Sequence, residues 1–421
     1  MDNRRIANEY ILSEPEDFKH RLIAWLRQFD SAIYLDSNNT RSSPVGYSDY
    51  ECLAGAGAIN VLKTDEASQK SGRDPFEELK NRINQCPDWL FGFFSYDLKN
   101  TVENLESKNF DGIGMPELFF FQPAVVFRLK DSRLIVETHV SAVSKHNPDN
   151  VFNEVRNTVL EKTGQTVPVQ IQQRLTKEEY LQQVQALQKH ILRGDIYEVN
   201  FCQEFFAENA VINPSETYRK MRDVSPTPFS GMVKCFDKYL LSASPERFLK
   251  KKGDKIISQP IKGTIRRGNT PEEDRTLTAS LLNSIKERAE NTMIVDLVRN
   301  DLSRTAQKGS VKVEELYGIY TFSQVHQMIS TITAVLKADT HFVDTIKNAF
   351  PMGSMTGAPK IRAMELIEQY EKTKRGLYSG AVGYISPNLD FDFNVVIRSI
   401  LYNQTDNYLS FITGGAITSL S

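Results

Sequence analysis

The sequence predicts an α+β fold in which helices pack on antiparallel β-sheet. Two pairs of apolar runs predict hairpins, one around a turn at Gly253-Asp254 and the other formed by Ala124–Leu129 and Leu134–Val140. Amphipathic segments that begin near Thr176 and Thr270 predict two long helices. A helix with a single apolar face packs that face on a sheet. The predicted hairpins and helices therefore indicate one α+β fold.

The first third of the chain predicts strands with connecting helices and carries no catalytic pattern. Ala32–Leu35 and Trp89–Phe94 are aromatic or β-branched runs, which are typical of strands. A polar stretch at 164–174 is the best candidate for a boundary. We therefore interpret residues 1–165 as an N-terminal scaffold region and residues 175–421 as the catalytic region.

The segment after this boundary predicts a helix followed by a strand. Thr176 and Glu179 have the spacing of a capping box, and Gly194 is placed to end the helix. Between them an apolar side chain recurs at helical spacing, at Tyr180, Val184, Leu187 and Ile191. Ile196–Phe206 is predicted to be the strand that follows.

A second helix is predicted to begin after Thr270. Thr270 and Glu273 again have capping-box spacing, and Pro271 stands at the first helical position, where proline is well tolerated. Apolar residues continue at helical spacing through Leu277, Leu281 and Ile285. The pattern predicts one continuous helix through this region.

Glu287 and Glu290 are three residues apart on this helix, so both carboxylates project from the same side. Two such groups repel each other unless a cation lies between them or water screens them. Oxygen ligands in small number suit Mg²⁺, which keeps several waters and also binds a substrate anion. The alternative is an ordinary solvated face beside Lys286 and Arg288.

Composition excludes several classes of function. The 421 residues include 51 Lys and Arg against 53 Asp and Glu, a formal net charge of −2, so the chain lacks the basic excess that nucleic-acid binding requires. Apolar stretches such as Leu118–Phe121 are too short to span a bilayer, and the first residues contain no signal-peptide core. Four cysteines are scattered without a CxxC pair: Cys52, Cys86, Cys202 and Cys235. We expect a cytoplasmic protein with reduced thiols that binds neither nucleic acid nor membrane.

The hairpin around Gly253 brings an acid and an amine into proximity. Glu246 precedes its first strand, and Lys262 follows its second strand. A carboxyl group facing a lysine across a sheet edge is a plausible acid and nucleophile pair for replacing a hydroxyl on a small ring. The alternative is a salt bridge at the rim of the protein.

Four sequence blocks occur in a fixed order along the second half: Pro260–Thr264, Glu287–Leu302, Phe350–Lys360 and Arg375–Tyr384. Together they resemble the chorismate-utilizing enzymes, which include the large subunits of anthranilate and aminodeoxychorismate synthases and the isochorismate and salicylate synthases. Lys262 stands where anthranilate synthases typically carry alanine, so this chain is most similar to the aminodeoxychorismate synthase branch.

The resemblance implies two stacked antiparallel β-sheets flanked by helices, with chorismate in the cleft between them. It implies that residues 175–421 bind chorismate and aminate it to 4-amino-4-deoxychorismate, the precursor of 4-aminobenzoate and folate. No glutaminase signature occurs in this chain, so we expect free ammonia or ammonia from a separate glutamine amidotransferase subunit. The alternatives are an anthranilate synthase component I and a non-catalytic chorismate-binding protein.

The resemblance also implies roles for the acid and the amine. Lys262 would add to the chorismate ring as the 4-hydroxyl departs, and ammonia would then displace it. Glu246 would donate the proton that the departing hydroxyl needs. A lysine of ordinary pKa, about 10.4, is protonated at neutral pH, so it must lie in a desolvated position or near other cations to act. The alternative for Lys262 is an ion pair with a substrate carboxylate.

Ten further residues are predicted to bind the substrate: Gly263, Thr264, Gln203, Gly357, Ala358, Lys360, Tyr378, Arg398, Gly414 and Gly415. The resemblance implies that Gly263, Thr264, Tyr378, Gly414 and Gly415 approach it. The block at 357–360 opens a helix whose free N–H groups attract anions, although an ordinary helix start fits it as well. Arg398, predicted within a strand, would grip a carboxylate of the substrate, unless it pairs with a structural carboxylate. Gln203 aligns with the water-activating lysine of isochorismate-forming members, which favours ammonia over water as the nucleophile, unless it is an ordinary strand glutamine. For the glycines the alternative is turn geometry.

Two matches concern the metal and the product. The family glutamates at Glu287 and Glu290 bind Mg²⁺, while a second family pair lies beyond Ser421, so we expect either a trimmed chain or weak Mg²⁺ binding. Gln327 stands where anthranilate synthases carry a histidine implicated in the loss of pyruvate, so the product is expected to keep its enolpyruvyl group. A small change of register would instead place His326 there.

Overall fold

The computed structural model of the chain describes residues 4–38, 49–65, 73–160, 168–419 and 421. Its strands are β1 (Arg5–Ile11), β2 (Ser31–Asp36), β3 (Cys52–Thr64), β4 (Leu90–Phe94), β5 (Leu118–Lys130), β6 (Arg133–His139), β7 (Gln172–Gln173), β8 (Glu198–Ala207), β9 (Phe229–Cys235), β10 (Lys238–Ser244), β11 (Arg247–Lys252), β12 (Lys255–Gln259), β13 (Ile261–Arg266), β14 (Lys312–Thr321), β15 (Val325–Val335), β16 (Gly357–Ala358), β17 (Ala381–Ile385), β18 (Phe391–Asn394), β19 (Ser399–Asn403) and β20 (Tyr408–Ile417). The α-helices are α1 (Pro15–Trp25), α2 (Pro75–Gln85), α3 (Lys99–Val102), α4 (Pro148–Asn157), α5 (Lys177–Arg193), α6 (Pro214–Val224), α7 (Pro271–Asn283), α8 (Ile285–Ser303), α9 (Phe342–Ala349) and α10 (Lys360–Tyr370).

All pairings between these strands are antiparallel, and they follow two series. The first series runs β1-β6-β5-β3-β2-β9-β10-β19-β20-β8, with β7 and β16 also on β8. The second runs β4-β17-β18-β11-β12-β15-β14, with β13 beside β15. Strand β4 pairs with β5, and this pairing joins the two series into one network. The predicted α+β class with antiparallel sheets is confirmed.

The main hydrophobic core lies between the two sheets. Its buried side chains come from both series, for example Val233 and Leu240 from the first and Phe91 and Phe393 from the second. Two smaller cores lie under the outer helices, one beneath α1 and α4 and one beneath α5 and α10. The expected arrangement of stacked sheets with helices outside is therefore present.

The local patterns that predicted elements are mostly confirmed. Strands β11 and β12 form the hairpin, and its turn residue Gly253 has φ +62°. Strands β5 and β6 form the second hairpin, whose turn residues Asp131 and Ser132 both have positive φ. The capping box of Thr176 is complete, and Gly194 ends α5 in the left-handed conformation with φ +85°.

The prediction of one continuous helix after Thr270 was wrong, because the chain breaks it at Ser284. Ser284 has extended backbone angles and ends α7, while its hydroxyl accepts a hydrogen bond from the N–H of Glu287 and so caps α8. Ile285, placed by the pattern on the apolar stripe, is 87% exposed. The cap at Ser284 therefore ends one helix and begins the next, although apolar residues continue at helical spacing across it.

The predicted boundary lies partly outside the described residues, since 161–167 are not among them. Strand β2 pairs with β9 and β4 pairs with β17, so both predicted regions supply strands to the same sheets. The division into residues 1–165 and 175–421 remains a prediction. Within the described ranges, no helix has the length and apolar character needed to cross a membrane.

Candidate active site

A cavity of about 490 Å³ opens between the C-terminal strands of the two sheets. Strands β13 and β15 supply one wall, β20 and the start of β8 supply the other, and α8 closes one side. Nine of the predicted site residues line it: Glu246, Lys262, Gly263, Thr264, Glu290, Tyr378, Arg398, Gly414 and Gly415. The two sheets thus bring together residues that are far apart in the sequence.

Glu246 is a buried carboxylic acid at the wall of this cavity. Only 3% of its surface is exposed. Burial raises its pKa from 4.5 to about 7, while hydrogen bonds from Ser354 and the Ile261 N–H, and the charges of Lys262 and Arg398, oppose that rise. The Ser354 hydroxyl donates to Oε1 over 2.7 Å. Near pH 7 about half of these carboxyl groups therefore carry a proton that they can donate.

Lys262 lies on β13, and its ammonium group contacts a carboxylate from the other wall. Its Nζ is 2.5 Å from Oε1 of Glu198, which begins β8. The two side chains are 10% and 1% exposed, respectively. The other oxygen of Glu198, Oε2, is buried and has no hydrogen-bond partner in the described part of the chain. Lys262 is therefore fixed at the cavity wall by a single buried acid.

Two glycines allow backbone to line the cavity closely. Gly263 has φ +96°, and a Cβ there would lie 3.2 Å from each of Leu281 Cδ1, Met328 Cβ and Glu287 Oε2. At Gly414 a Cβ would lie 2.3 Å from Sγ of Cys202. At these positions any larger residue would push the walls apart.

Arg398 reaches the cavity from a bend and not from a strand as predicted. It lies between β18 and β19 with φ +50°, a left-handed conformation that is uncommon for a non-glycine residue. Its side chain forms no hydrogen bond or ion pair with another residue of the described ranges, although its charge lowers the pKa of Glu246. Strained backbone of this kind is found at sites that position a functional group. The guanidinium remains available to a planar anion.

The register of β15 decides which side chain faces the substrate. Gln327 lines the cavity, and its Nε2 donates to Thr264 over 3.4 Å. His326 faces the opposite side, where Nε2 lies 2.8 Å from Asp274 and Nδ1 lies 2.9 Å from Thr321. The structure therefore puts an amide, and no imidazole, at this point of the wall.

Glu287 and Glu290 lie near Gly263 on α8, and Glu290 lines the cavity. Burial is the main cause that raises the pKa of Glu290; Glu198 and Glu287 raise it further and Lys262 opposes them. Its Oε1 is buried and makes no hydrogen bond within the described ranges, and the ammonium group of Lys286 lies 3.9 Å from it. A crowded carboxylate oxygen without a donor fits a hard cation such as Mg²⁺, which needs only one or two protein carboxylates. Among the described residues, no group of three Asp, Glu, His or Cys side chains is arranged as a complete metal site.

Gln203 does not line the cavity. Its Cα lies opposite Thr413 in the pairing of β8 with β20. Side chains alternate along a strand, so Gln203 lies on the face of Phe201 and Phe205, whereas Asn200 lines the cavity. Gln203 is therefore not part of the cavity lining in this structure, and its contact with substrate stays a prediction.

Gly357, Ala358 and Lys360 also lie outside the cavity wall. Gly357 and Ala358 pair with β8, and a Cβ on Gly357 would lie 2.2 Å from the carbonyl oxygen of Glu198. This glycine therefore lets two backbones approach each other, and its contact with a substrate stays a prediction. Lys360 pairs with buried Asp301, with Nζ 2.6 Å from Oδ2. The ammonium group of Lys360 therefore forms an ion pair with a buried carboxylate of the same chain.

Sequence reasoning missed three polar residues at or beside the cavity: Glu198, Asn200 and Ser354. A signal for two of them exists in the sequence, because Glu198, Asn200 and Glu204 recur at even spacing along a strand whose one other polar residue is Gln203. Even spacing places polar groups on one face of a buried strand, which is costly unless they have partners. Ser354 carries no such signal, since only the fold brings it to Glu246.

A sequence model of the family described as chorismate binding enzyme matches residues 30–421 of this chain. Aminodeoxychorismate synthase component 1 of Bacillus subtilis is 31% identical to this chain. The alignment spans 100% of this chain and 94% of the Bacillus protein. The Salmonella typhimurium protein of the same name is 36% identical over 82% of this chain and 78% of its own length. Anthranilate synthase component 1 of Aquifex aeolicus is 33% identical over 86% of this chain and 76% of its own length.

A solved structure has the same fold. The crystal structure of anthranilate synthase component I from Streptococcus pneumoniae superimposes with a TM-score of 0.77 at 26% identity, over 88% of this chain and 87% of that chain.

Proposed function

The chain belongs to the family of chorismate binding enzymes, and on that basis we propose that it aminates chorismate to 4-amino-4-deoxychorismate. The observation that supports this most is the presence of Lys262 and Glu246 in one cavity between the sheets. One is an amine that can form a bond to carbon, and the other is an acid whose pKa is about 7. This pair supplies what the replacement of a hydroxyl by an amine requires.

Glu246 acts first on the leaving group. Hydroxide is a poor leaving group, and a positioned acid accelerates its departure by typically about 10²–10⁴-fold. The buried carboxyl of Glu246 is oriented by two donors, the Ser354 hydroxyl at Oε1 and the N–H of Ile261. The 4-hydroxyl of chorismate therefore lies beside Glu246 in the proposed complex.

Lys262 forms the transient bond to the ring. As the hydroxyl departs, the amine adds to the ring, and ammonia then enters at the carbon that lost the hydroxyl and expels the lysine. The same side chain is released unchanged at the end. An ion pair of Lys262 with a substrate carboxylate remains the alternative role, and it requires no covalent bond.

The two carboxylates of chorismate need cationic partners. Arg398 has a guanidinium without a partner among the described residues and lies in the cavity, so we assign it to the enolpyruvyl carboxylate. Glu287 and Glu290 are the residues that would hold Mg²⁺. The bound ion would supply positive charge for the ring carboxylate.

The nitrogen source is proposed to be ammonia delivered by a separate glutamine amidotransferase subunit. The relatives named component 1 carry a name that implies a second component. Reaction in the cytoplasm is proposed as well, where thiols stay reduced; the four cysteines, all within the described ranges, form no disulfide.

A second candidate is an anthranilate synthase reaction, because relatives with that name are also similar to this chain. That reaction releases pyruvate, which requires a group that can move a proton from the ring. Gln327 faces the cavity in place of a titratable side chain, and His326 lies on the far side of β15. An amide cannot take up that proton, so amination without loss of pyruvate is favoured.

Product analysis separates the candidates. The protein is incubated with chorismate, ammonium and Mg²⁺, and the mixture is examined by mass spectrometry and fluorescence. We expect 4-amino-4-deoxychorismate with no pyruvate. Fluorescent anthranilate with an equal amount of pyruvate would identify the second candidate, and unchanged chorismate that nevertheless binds would identify a non-catalytic binding protein.

A further inference from the structure

The proposed reaction needs a neutral amine, and the cavity contains one group placed to provide it. Lys262 Nζ lies 2.5 Å from Oε1 of Glu198, which is hydrogen-bond distance for a charged pair. An ammonium group has no lone pair, so a proton must leave before nitrogen can bond to carbon. Among the described residues, Glu198 is the only carboxylate that hydrogen-bonds to this nitrogen.

We infer that Glu198 is the general base that takes the proton from Lys262 before the amine adds to the ring. This inference depends on the proposed function, because it assigns a role only if Lys262 is the nucleophile. Glu198 is 1% exposed and Lys262 is 10% exposed, so the proton passes directly between them and not through bulk water. Lys262 donates to Oε1, and the buried Oε2 makes no hydrogen bond, so Lys262 is the one donor to this carboxyl among the described residues.

The remaining acids near Lys262 are less suited to this task. Glu246 must still carry its proton when the hydroxyl leaves, so it cannot also accept one in the same step. Glu290 faces the same space from α8, yet it forms no hydrogen bond to Nζ. The charged groups that face Glu198 are Lys262 from β13 and Glu290 from α8.

The proton and electron balance closes over one turnover. The proton moves from Nζ of Lys262 to Glu198, which leaves an amine and a carboxylic acid. The amine bonds to the ring, the ring double bonds shift, and the C–O bond breaks as Glu246 protonates the oxygen, which leaves as water. Ammonia then bonds to that carbon, and the electron pair of the C–N bond returns to Lys262. Glu198 gives its proton back to the amine, and Glu246 regains one from the ammonium group of the product.

The fold explains why this acid is held so firmly. Glu198 begins β8, and β16 pairs with it there through Ala358. Gly357 brings the two backbones together, since any Cβ on it would collide with the carbonyl oxygen of Glu198. The main chain at Glu198 is therefore fixed on both sides, by β16 and by β20 next to it at Val199.

The test compares Glu198→Gln with the unchanged protein. Glutamine keeps the size of the side chain and an oxygen that accepts from Lys262, but it cannot take up the proton. With ammonium in excess, we expect kcat to fall by about 10²–10⁴-fold at pH 7 while KM for chorismate changes by less than about threefold. Hydroxide can partly replace a missing general base, so the ratio of parent to variant rates should narrow as the pH rises.

The matched control is Glu204→Gln. Glu204 is a buried acid on the same face of the same strand, where it accepts hydrogen bonds from Arg174, Tyr408 and Ser410, away from the cavity. It should keep the parental rate, and circular dichroism should show both variants folded. A folded Glu198→Gln protein with parental kcat, or with a rate ratio that does not change with pH, would overturn the inference. If the unchanged protein does not aminate chorismate, the proposed function fails instead.

Discussion

At the scale of single residues, the main energetic feature of the site is a carboxyl group held in its neutral form. Glu246 has a pKa of about 7 instead of 4.5, chiefly because it is buried. The folded state therefore binds this proton more tightly than the unfolded chain does. The stabilising contribution is complete below pH 4.5 and is lost as the pH rises to 7. The fold is less stable at neutral pH so that an acid is available for catalysis.

The first prediction follows from this pH dependence of the free energy of unfolding. Glu246→Gln removes a charge that the folded protein must bury above pH 7, so the free energy of unfolding at pH 8 should rise by up to about 3 kcal/mol. At pH 4 the gain should vanish, because the carboxyl is then protonated in both states. Amination should fall by at least about 10²-fold. Urea unfolding at the two pH values measures the first effect, and a variant equally stabilised at both would refute the account of Glu246.

A second prediction tests the position of Lys360. Because Lys360 pairs with buried Asp301 and lies outside the cavity wall, Lys360→Ala should lower the free energy of unfolding by about 2–4 kcal/mol. KM for chorismate should change by less than about twofold, because the substitution removes no side chain from the cavity wall. Thermal unfolding and steady-state kinetics give the two values. A large rise in KM with unchanged stability would restore the substrate-binding role predicted from the sequence.

At the scale of elements, β20 offers a matched pair of glycines for the third prediction. A Cβ on Gly414 would lie 2.3 Å from Cys202 Sγ, whereas a Cβ on Gly415 would meet nothing within 4 Å. Gly414→Ala should therefore destabilise the protein by about 1–3 kcal/mol, because β8 and β20 must move apart. Gly415→Ala should leave the melting temperature almost unchanged and affect only chorismate binding. Equal melting temperatures for the two variants would contradict the described contact.

The sequence predicted an element well where a few adjacent residues determine it. The hairpin at Gly253 and the capping box at Thr176 are specified by a few adjacent residues, and both predictions were confirmed. The break at Ser284 is equally local, but apolar periodicity hid it. The positive φ of Arg398 has no local signal, because neither a glycine nor an asparagine marks the position and its neighbours Ile397 and Ser399 do not indicate a left-handed residue.

The same distinction applies to the candidate site. Blocks such as 260–264 could be recognised and lie at the cavity. Their side-chain directions required the strand pairings: Gln203 and Asn200 differ only in which face of β8 they occupy. Glu198 was missed because its importance comes from a lysine 64 positions away. A sequence identifies candidate residues more readily than it identifies which of them touch.

At the scale of the whole molecule, the site exists only because two sheets stack. Gly414 and Gly415 belong to the first series of strands, and Lys262 and Gln327 belong to the second. The core between the sheets sets their separation and thus the volume left for a substrate. We expect variants that loosen this core to lose activity before they lose helical structure, because the walls must keep their spacing for Lys262 to reach a bound ring.

The central claim is that Lys262 bonds to the substrate. Intact-protein mass spectrometry with chorismate in the absence of ammonia tests it most directly, since the second step then lacks its nucleophile. We predict an added mass of chorismate less water, located by peptide mapping on Lys262 and absent from a folded Lys262→Ala protein. Amination that proceeds normally in Lys262→Ala, or an adduct on a different residue, would contradict the account.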